Sequence, residues 1–273
     1  YVEPFFGSGA CLLARPEPFD GSETVNDADG MVANFWRAIR DKPAEVAKWA
    51  DWPVNENDLH ARHAWLVGLR DSLGPQLEGD PEWCDAKVAG WWAWGMACWI
   101  GGGFCSGDGP WGVVDGQLVH LGNAGQGVNR KLVHLGEWFD ALSERMSRVR
   151  VASGDWSRVC GPSVTFKHGP TAVFLDPPYA DTAGRGDGLY AVDSLSVAHS
   201  VREWAIENGQ RRDMRIALCG YEGEHEMPPD WDVLAWNAGD GYGGQADEKT
   251  ENGKRERVWF SPHCVGRQQL TLF

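Results

Sequence analysis

The tetrapeptide Asp176-Pro177-Pro178-Tyr179 is the segment whose residue types and spacing point most directly to chemistry. It follows the apolar run 171–175, which is typical of a buried strand. Two prolines fix the backbone at the carboxyl end of that strand, where open parallel sheets bind their ligands. A carboxylate and a rigid carbonyl there can accept hydrogen bonds from an aromatic amine and make it more nucleophilic. Asp-Pro-Pro can also close a strand as a tight loop.

The first residues, Tyr1-Val-Glu-Pro-Phe-Phe-Gly-Ser-Gly9, are typical of a strand that ends in a tight glycine turn. The residues 10–14 then begin a helix, and a second short strand, 24–27, ends in Asp27. Apolar positions between Met31 and Ile39 recur at helical spacing. The order strand, glycine loop, helix, strand and acidic residue is how an open parallel sheet holds a nucleotide-type ligand.

The two motifs together resemble the Dam-type family of DNA adenine methyltransferases, of which phage and bacterial members are known. In that family a Glu/Asp-Pro-Phe-x-Gly-x-Gly segment stands far upstream of Asp-Pro-Pro-Tyr, with a target-recognition module between them. The resemblance covers most of the chain. It implies an α/β fold, with a Rossmann-like S-adenosylmethionine-dependent methyltransferase sheet and an inserted, largely helical target-recognition module. The implied reaction methylates the exocyclic amine of an adenine flipped out of double-stranded DNA.

The resemblance also assigns roles to individual residues. The implied catalytic residues are Asp176, Pro177, Pro178 and Tyr179, with Tyr179 stacking on the flipped base. The implied S-adenosylmethionine-binding residues are Glu3, Pro4, Phe5, Gly7, Gly9, Asp27 and Asp155. Asp27 would accept hydrogen bonds from the ribose hydroxyls, and Asp155 would meet the adenine edge of the cofactor. An ordinary turn or helix-capping role is the alternative for both aspartates.

The character of the sequence changes between residue 43 and about residue 136. Helical patterns at 58–73 and 81–99 are followed by a glycine-rich stretch. We therefore expect a methyltransferase catalytic domain formed by residues 1–42 and 137–265, a target-recognition module at 43–136 and a C-terminal tail at 266–273. The candidate DNA-binding residues of the module are Gln126, Asn129, Arg130 and Lys131. Glycines around them permit close approach to base edges, although they also suit a polar loop.

Helix and strand patterns alternate again in the second half of the chain. The expected strands are 149–151, 171–175, 215–219, 232–236 and 257–260, and the expected helix is 192–208.

The final pentapeptide, Gln269-Leu270-Thr271-Leu272-Phe273, resembles the peptide by which bacterial polymerases and repair proteins dock on the DNA sliding clamp. Gln269 would anchor it, and Leu270, Leu272 and Phe273 would supply the apolar contacts. A terminal strand or a plain apolar tail is the alternative.

Composition narrows the function classes. The formal net charge of −14 disfavours a protein that coats DNA, so contacts with DNA must be local and a clamp tether would help. The seven cysteines are scattered without a Cys-x-x-Cys pair, which favours reduced thiols. His60, His63, Cys98 and Cys105 match no standard zinc spacing, and we expect no metal. No long uncharged apolar run occurs, so we expect no membrane partner and a cytoplasmic protein in a bacterial or phage-infected cell.

Other functions remain open at this point. Methylation of the exocyclic amine of cytosine uses the same chemistry, and Asp rather than Ser at the head of the tetrapeptide makes the family resemblance favour adenine. Carbon-5 methylation needs a thiolate in a Pro-Cys loop, and no cysteine here follows a proline. A catalytically weak DNA- or clamp-binding protein is the alternative from another class, because the motif that precedes the glycine loop in the family has no counterpart here. We expect that Tyr1 is not the native start. The recognition sequence and the oligomeric state stay open.

Overall fold

The residues that the structure describes form nine strands and seven α-helices. The computed structural model describes residues 1–16, 21–99, 104–105, 111–114, 117–120, 135–179, 196–235 and 255–264, with the backbone alone for 111–114 and 117–120. The strands are β1 (Val2–Glu3), β2 (Glu23–Asp27), β3 (Trp111–Val114), β4 (Gln117–His120), β5 (Val149–Ser153), β6 (Thr171–Leu175), β7 (Met214–Tyr221), β8 (Asp232–Ala235) and β9 (Glu256–Phe260). The helices are α1 (Ala10–Leu13), α2 (Gly30–Asp41), α3 (Pro43–Ala50), α4 (Glu56–Gly79), α5 (Ala86–Cys98), α6 (Leu135–Met146) and α7 (Val197–Gly209).

The chain divides into two units, and the first consists of Tyr1–Phe6 together with the described residues from Trp156 onward. Its strands lie in the order β1-β6-β7-β9-β8. β1, β6 and β7 run parallel, whereas β9 is antiparallel to both β7 and β8. The alternate residues Met214, Ile216 and Leu218 of β7 are fully buried, and α7 packs against this strand. This part of the fold is therefore a mixed sheet with a helix packed on it.

The second unit consists of the described residues from Gly7 to Asp155. It pairs β2 with β5 in parallel and β3 with β4 as an antiparallel hairpin. Its core forms where α2, α4 and α5 pack together, around fully buried side chains such as Met31, Leu66, Leu73 and Trp94. Over all described residues the protein is α/β, with seven α-helices and parallel and antiparallel strand pairs, which is compatible with a Rossmann-like fold.

Arg37 is a buried cation at the centre of the second unit. Its guanidinium donates hydrogen bonds to the carbonyls of Val151 at 3.0 Å, Leu77 at 2.9 Å and Asp80 at 3.0 Å. Burial lowers the pKa of Arg37, but a guanidinium keeps its proton in proteins. One side chain on α2 therefore satisfies carbonyls on β5, at the end of α4 and just after α4.

Most of the expected elements are confirmed, and a few differ in extent. The expected strand 171–175 coincides with β6, and the expected helices 58–73 and 81–99 correspond to α4 and α5. The described part of the expected helix 192–208 begins at Val197, because 191–195 lie outside the described residues. The hairpin of β3 and β4 lies in the glycine-rich stretch that follows α4 and α5, where no strand was expected. None of the described helices is long and apolar enough to cross a membrane.

The predicted boundaries of the recognition module remain a prediction. Within the second unit, α4 and α5 from the predicted module pack against α2 from the predicted catalytic domain. Val46, Val88 and Ala89 are buried where α3 packs against α5. α4 and α5 thus share one core with α2.

Candidate functional site

The glycine turn after β1 is held in place through the backbone of Gly7. Gly7 and Gly9 have φ angles of 46° and 70°, in the left-handed region that glycine adopts without strain. The Gly7 N–H donates to Oδ2 of Asp27 at 2.8 Å, and Nε1 of Trp36 donates to the Gly7 carbonyl at 2.9 Å. Trp36 is buried on α2. Both polar groups of Gly7 are therefore bound within the second unit.

The two aspartates predicted to bind the cofactor follow or end neighbouring parallel strands of the same unit. Asp27 ends β2 and lies opposite Ser153, the last residue of β5. Gly154, at φ 113°, turns the chain after β5 and donates its N–H to the Asp27 carbonyl at 3.0 Å. Asp155 comes next and is exposed. Gly7, Asp27 and Asp155 thus belong to one edge of the β2–β5 pair, where parallel sheets bind ligands.

The Asp27 carboxylate already accepts two backbone hydrogen bonds. Oδ2 accepts from Gly7, and Oδ1 accepts from the N–H of Asp29 at 2.8 Å. A carboxylate is acceptor-only when it is ionised, so hydroxyl groups are among the donors that it can bind. The bonds to Gly7 and Asp29 fix the direction in which the carboxylate points.

The Asp-Pro-Pro-Tyr segment leaves the first unit's sheet beside the segment that follows β1. β1 and β6 are neighbouring parallel strands, with Val2 opposite Val173. Phe5 follows the carboxyl end of β1, and Asp176 follows the carboxyl end of the adjacent strand β6. The two residues therefore leave the sheet at the same edge. The first part of the glycine-turn motif, Tyr1–Phe6, thus lies beside the Asp-Pro-Pro-Tyr segment at this edge of the unit. Pro177, which follows Asp176, is buried.

Asp176 is a reachable carboxylate with a raised proton affinity. The residue is exposed at its surface, so a ligand can contact it. Protein atoms packed around the carboxylate nevertheless displace water from it, and this desolvation raises its pKa to about 6. A hydrogen bond from Tyr179 acts in the opposite direction. The exposed part of Asp176 lets a ligand reach it, while the protein packed around the rest of the group raises its pKa. Around neutral pH Asp176 is mainly ionised, as a hydrogen-bond acceptor must be.

Aromatic side chains lie beside this carboxylate. The ring of Tyr179 meets the ring of Tyr221 edge to face, with centroids 4.5 Å apart. The guanidinium of Arg255 lies 5.2 Å from the Tyr221 ring centroid. Tyr221 is absent from the predicted site, although it ends β7 much as Tyr179 follows β6. An aromatic residue at the carboxyl end of the next parallel strand is the sequence signal that could have identified it.

Phe5 belongs to a second aromatic cluster in the first unit. Its ring is stacked on that of Trp156, with centroids 6.3 Å apart, and Trp156 meets Trp204 of α7 edge to face. Glu3, another predicted cofactor residue, is buried and accepts a hydrogen bond from the Tyr1 hydroxyl at 2.8 Å. Pro4 is buried as well. Glu3 and Pro4 are thus inside the protein, whereas Phe5 is half-buried.

Eight predicted site residues lie outside the described residues. They are Gln126, Asn129, Arg130 and Lys131 of the predicted recognition module and Gln269, Leu270, Leu272 and Phe273 of the C-terminal pentapeptide.

In the part of the chain that is described, no group of three or more His, Cys, Asp or Glu side chains could hold a metal ion. His63 instead stacks on Trp99, with ring centroids 4.6 Å apart. Burial raises the pKa of Cys98 to about 11 and that of Cys105 to about 12.

Comparison with protein-family models and with curated proteins finds no match to this chain. The interpretation of the site therefore depends on its own residues.

Proposed function

We propose that this protein transfers a methyl group from S-adenosylmethionine to the exocyclic amine of a flipped adenine in double-stranded DNA. The observation that carries the proposal is the position of Asp176. It is an exposed carboxylate with a raised pKa, next to Tyr179, at the edge where the glycine-turn strand β1 and the Asp-Pro-Pro-Tyr strand β6 both end. That edge is where parallel sheets place their reactive groups.

Asp176 and Pro177 supply the acceptors that an aromatic amine needs. The lone pair of such an amine is delocalised into its ring, which makes the nitrogen a poor nucleophile. Hydrogen bonds from its two N–H groups to the Asp176 carboxylate and the Pro177 carbonyl favour a pyramidal nitrogen with a localised lone pair. Tyr179 offers a ring on which an extruded base can stack. These residues therefore orient and activate the amine.

The cofactor half of the proposal depends on the second unit. This unit has a glycine loop at Gly7 and Gly9, followed along the chain by the carboxylates of Asp27 and Asp155. A glycine loop followed by acidic hydrogen-bond acceptors is typical of sites that bind nucleotide-type ligands. S-adenosylmethionine, when bound, supplies an electrophilic methyl group on a sulfonium. Asp27 would bind the ribose hydroxyls and Asp155 the adenine edge. The backbone around Gly7 would line the methionine half.

The DNA contacts proposed for this acidic chain are local ones. A net charge of −14 repels the phosphate backbone, so affinity must come from few, specific interactions. Gln126, Asn129, Arg130 and Lys131 are the proposed base and phosphate contacts. The pentapeptide Gln269–Phe273 is proposed to dock on the sliding clamp, which would raise the local concentration of DNA to roughly millimolar.

Asp176→Asn tests the catalytic half of the proposal. We expect methylation of duplex DNA to fall on the order of a hundredfold or more, while calorimetry shows S-adenosylmethionine binding close to that of the wild type. The product is identified by mass spectrometry of the nucleosides after DNA digestion, which separates methylated adenine from methylated cytosine. Asp213→Asn is the matched control, because Asp213 is paired with Arg211 and lies before β7 in the same unit. Turnover equal to that of the wild type in Asp176→Asn would rule out the proposed role.

The pH dependence supplies an independent check of the same group. The ionised carboxylate accepts the hydrogen bond from the amine more strongly than the protonated one, and the pKa of Asp176 is raised to about 6. Turnover should therefore be constant above this pH and fall as the pH drops below about 6. Loss of activity only below pH 4 would contradict the assignment of Asp176.

A further inference from the structure

Glu256, at the start of β9, lies at the same end of the sheet as the Asp-Pro-Pro-Tyr corner. β9 runs antiparallel to β7, and Glu256 is directly opposite Tyr221. Opposed residues of antiparallel strands project from the same face, with Cβ atoms about 5 Å apart. The Tyr221 ring in turn contacts the Tyr179 ring, and Tyr179 hydrogen-bonds Asp176. A continuous series of neighbours thus links the two carboxylates of Glu256 and Asp176.

The two carboxylates also interact through their charges. Burial raises the pKa of Glu256 above its ordinary value, and the negative charge of Asp176 raises it further. Such an interaction is reciprocal, because the energy that disfavours two neighbouring charges belongs to the pair. An ionised Glu256 therefore increases the proton affinity of Asp176 as well.

Other charged and titratable groups lie on the neighbouring elements. They are Asp176 and Tyr179 after β6, Tyr221 at the end of β7, Glu222, Glu224 and His225 after β7, Arg255 just before β9, Arg257 on β9, Asp232 on β8, which lies opposite the far end of β9, and His199 and Arg202 on α7, which packs against β7. Arg257 donates to Glu222 at 2.7 Å, and Glu224 accepts from the Tyr221 N–H at 2.9 Å. Among the described residues, Asp176 is the charge that raises the pKa of Glu256.

We propose that Glu256 is a positioning residue that acts through Asp176, its negative charge making the Asp176 carboxylate a stronger acceptor for the hydrogens of the reacting amine. The inference rests on the proposed function, and it concerns the same site. In the reaction the nitrogen lone pair forms the N–C bond while the C–S bond breaks and leaves its electron pair on sulfur. The nitrogen then gives up one proton, which Asp176 accepts. A neighbouring negative charge favours this acceptance, and the proton finally leaves to solvent.

Glu256→Gln removes the charge and keeps the size of the side chain. Two unit charges separated by several ångströms near a protein surface interact strongly enough to change a rate severalfold. At pH 7.5 we expect kcat to fall roughly threefold to tenfold, with S-adenosylmethionine affinity unchanged. The acid limb of the pH profile should move to lower pH, so the variant loses less activity on acidification than the wild type. Glu256→Asp should restore the wild-type limb.

Carboxyl-carbon NMR of Asp176 gives a measurement that does not depend on activity. In the wild type the interacting pair should titrate in two steps, and in Glu256→Gln the Asp176 signal should titrate in one step that is complete at lower pH. Glu222→Gln is the matched control, because Glu222 lies on the turn next to Tyr221 but is exposed and paired with Arg257. An Asp176 titration that is identical in wild type and Glu256→Gln overturns the inference. If the wild type methylates no DNA, the proposed function fails, while the titration still decides whether the carboxylates are coupled.

Discussion

Replacing Glu23 with Gln should destabilise the second unit, because Glu23 is the anion of a buried ion cluster. Its carboxylate accepts hydrogen bonds from Nη1 and Nη2 of Arg145 at 2.7 Å and 2.9 Å, and it also pairs with Arg15. The Glu23 side chain is only 6% exposed, so water cannot replace these bonds. Arg145 further donates to the Leu12 carbonyl at 3.0 Å. The cluster thus ties α1, which follows the glycine turn, to β2 and α6.

The size of the effect follows from what remains after the substitution. Removing one partner of a buried ion pair costs about 3–5 kcal/mol. Arg15 and Arg145 keep 20% and 15% of their side-chain surface in contact with solvent, which reduces the penalty on the two remaining cations. We therefore expect the lower end, about 3 kcal/mol. With a urea dependence of about 3 kcal/mol per molar, the unfolding midpoint should fall by about 1 M.

Urea unfolding followed by tryptophan fluorescence at pH 7 measures this shift. Burial opposes the ionisation of Glu23, but the hydrogen bond and charge of Arg145 and the charge of Arg15 outweigh it and hold the pKa below 4.5. The stabilisation is therefore complete above about pH 4.5 and is lost as the pH falls through the lower pKa of the folded state. The difference in midpoint between the wild type and Glu23→Gln should shrink at acidic pH. Equal midpoints at pH 7 would refute the net stabilisation by the cluster.

Two further predictions concern the cofactor turn and the tail. Trp36→Phe removes the donor to the Gly7 carbonyl while keeping a buried ring, and it should weaken S-adenosylmethionine binding roughly threefold to tenfold by calorimetry. Trp92→Phe, in the same unit, should bind S-adenosylmethionine like the wild type. Unchanged binding in Trp36→Phe would contradict a role of the turn at Gly7 in binding the cofactor. Deleting residues 269–273 should abolish pull-down by the sliding clamp while sparing methylation of short oligonucleotides. Clamp pull-down that survives the deletion would exclude this tail as the docking peptide.

Local sequence patterns predict the strands and helices that have clear ends. The strand 171–175 coincides with β6, because an apolar β-branched run meets Asp-Pro-Pro, which cannot continue it. The glycines at 7 and 9 and the acid at the end of β2 likewise mark the turn and the strand end. The hairpin of β3 and β4 was not expected, since strands of four residues among glycines give too short an alternation to be distinguished from a loop.

The residues that support the site were harder to predict than the motifs themselves. Trp36 fits the apolar periodicity of α2, so the pattern identifies a core residue and not the donor to the Gly7 carbonyl. Glu256 faces Tyr221 only because β9 pairs with β7 in one particular antiparallel register. Register between strands distant in sequence is set by long-range packing, which periodicity in a single strand cannot reveal. Motifs therefore located the candidate site residues, and tertiary pairing decided their neighbours.

The buried guanidinium of Arg37 limits how this protein can be re-engineered. It lies on α2 but has its acceptors on β5 and around the end of α4. Any graft that exchanges α4 and α5 for helices from another protein must reproduce carbonyl groups where Leu77 and Asp80 now present theirs. Otherwise a cation that cannot lose its proton is left in an apolar interior, and the chimera should aggregate or misfold. Exchange of whole segments is therefore safer at exposed loops than at these helices.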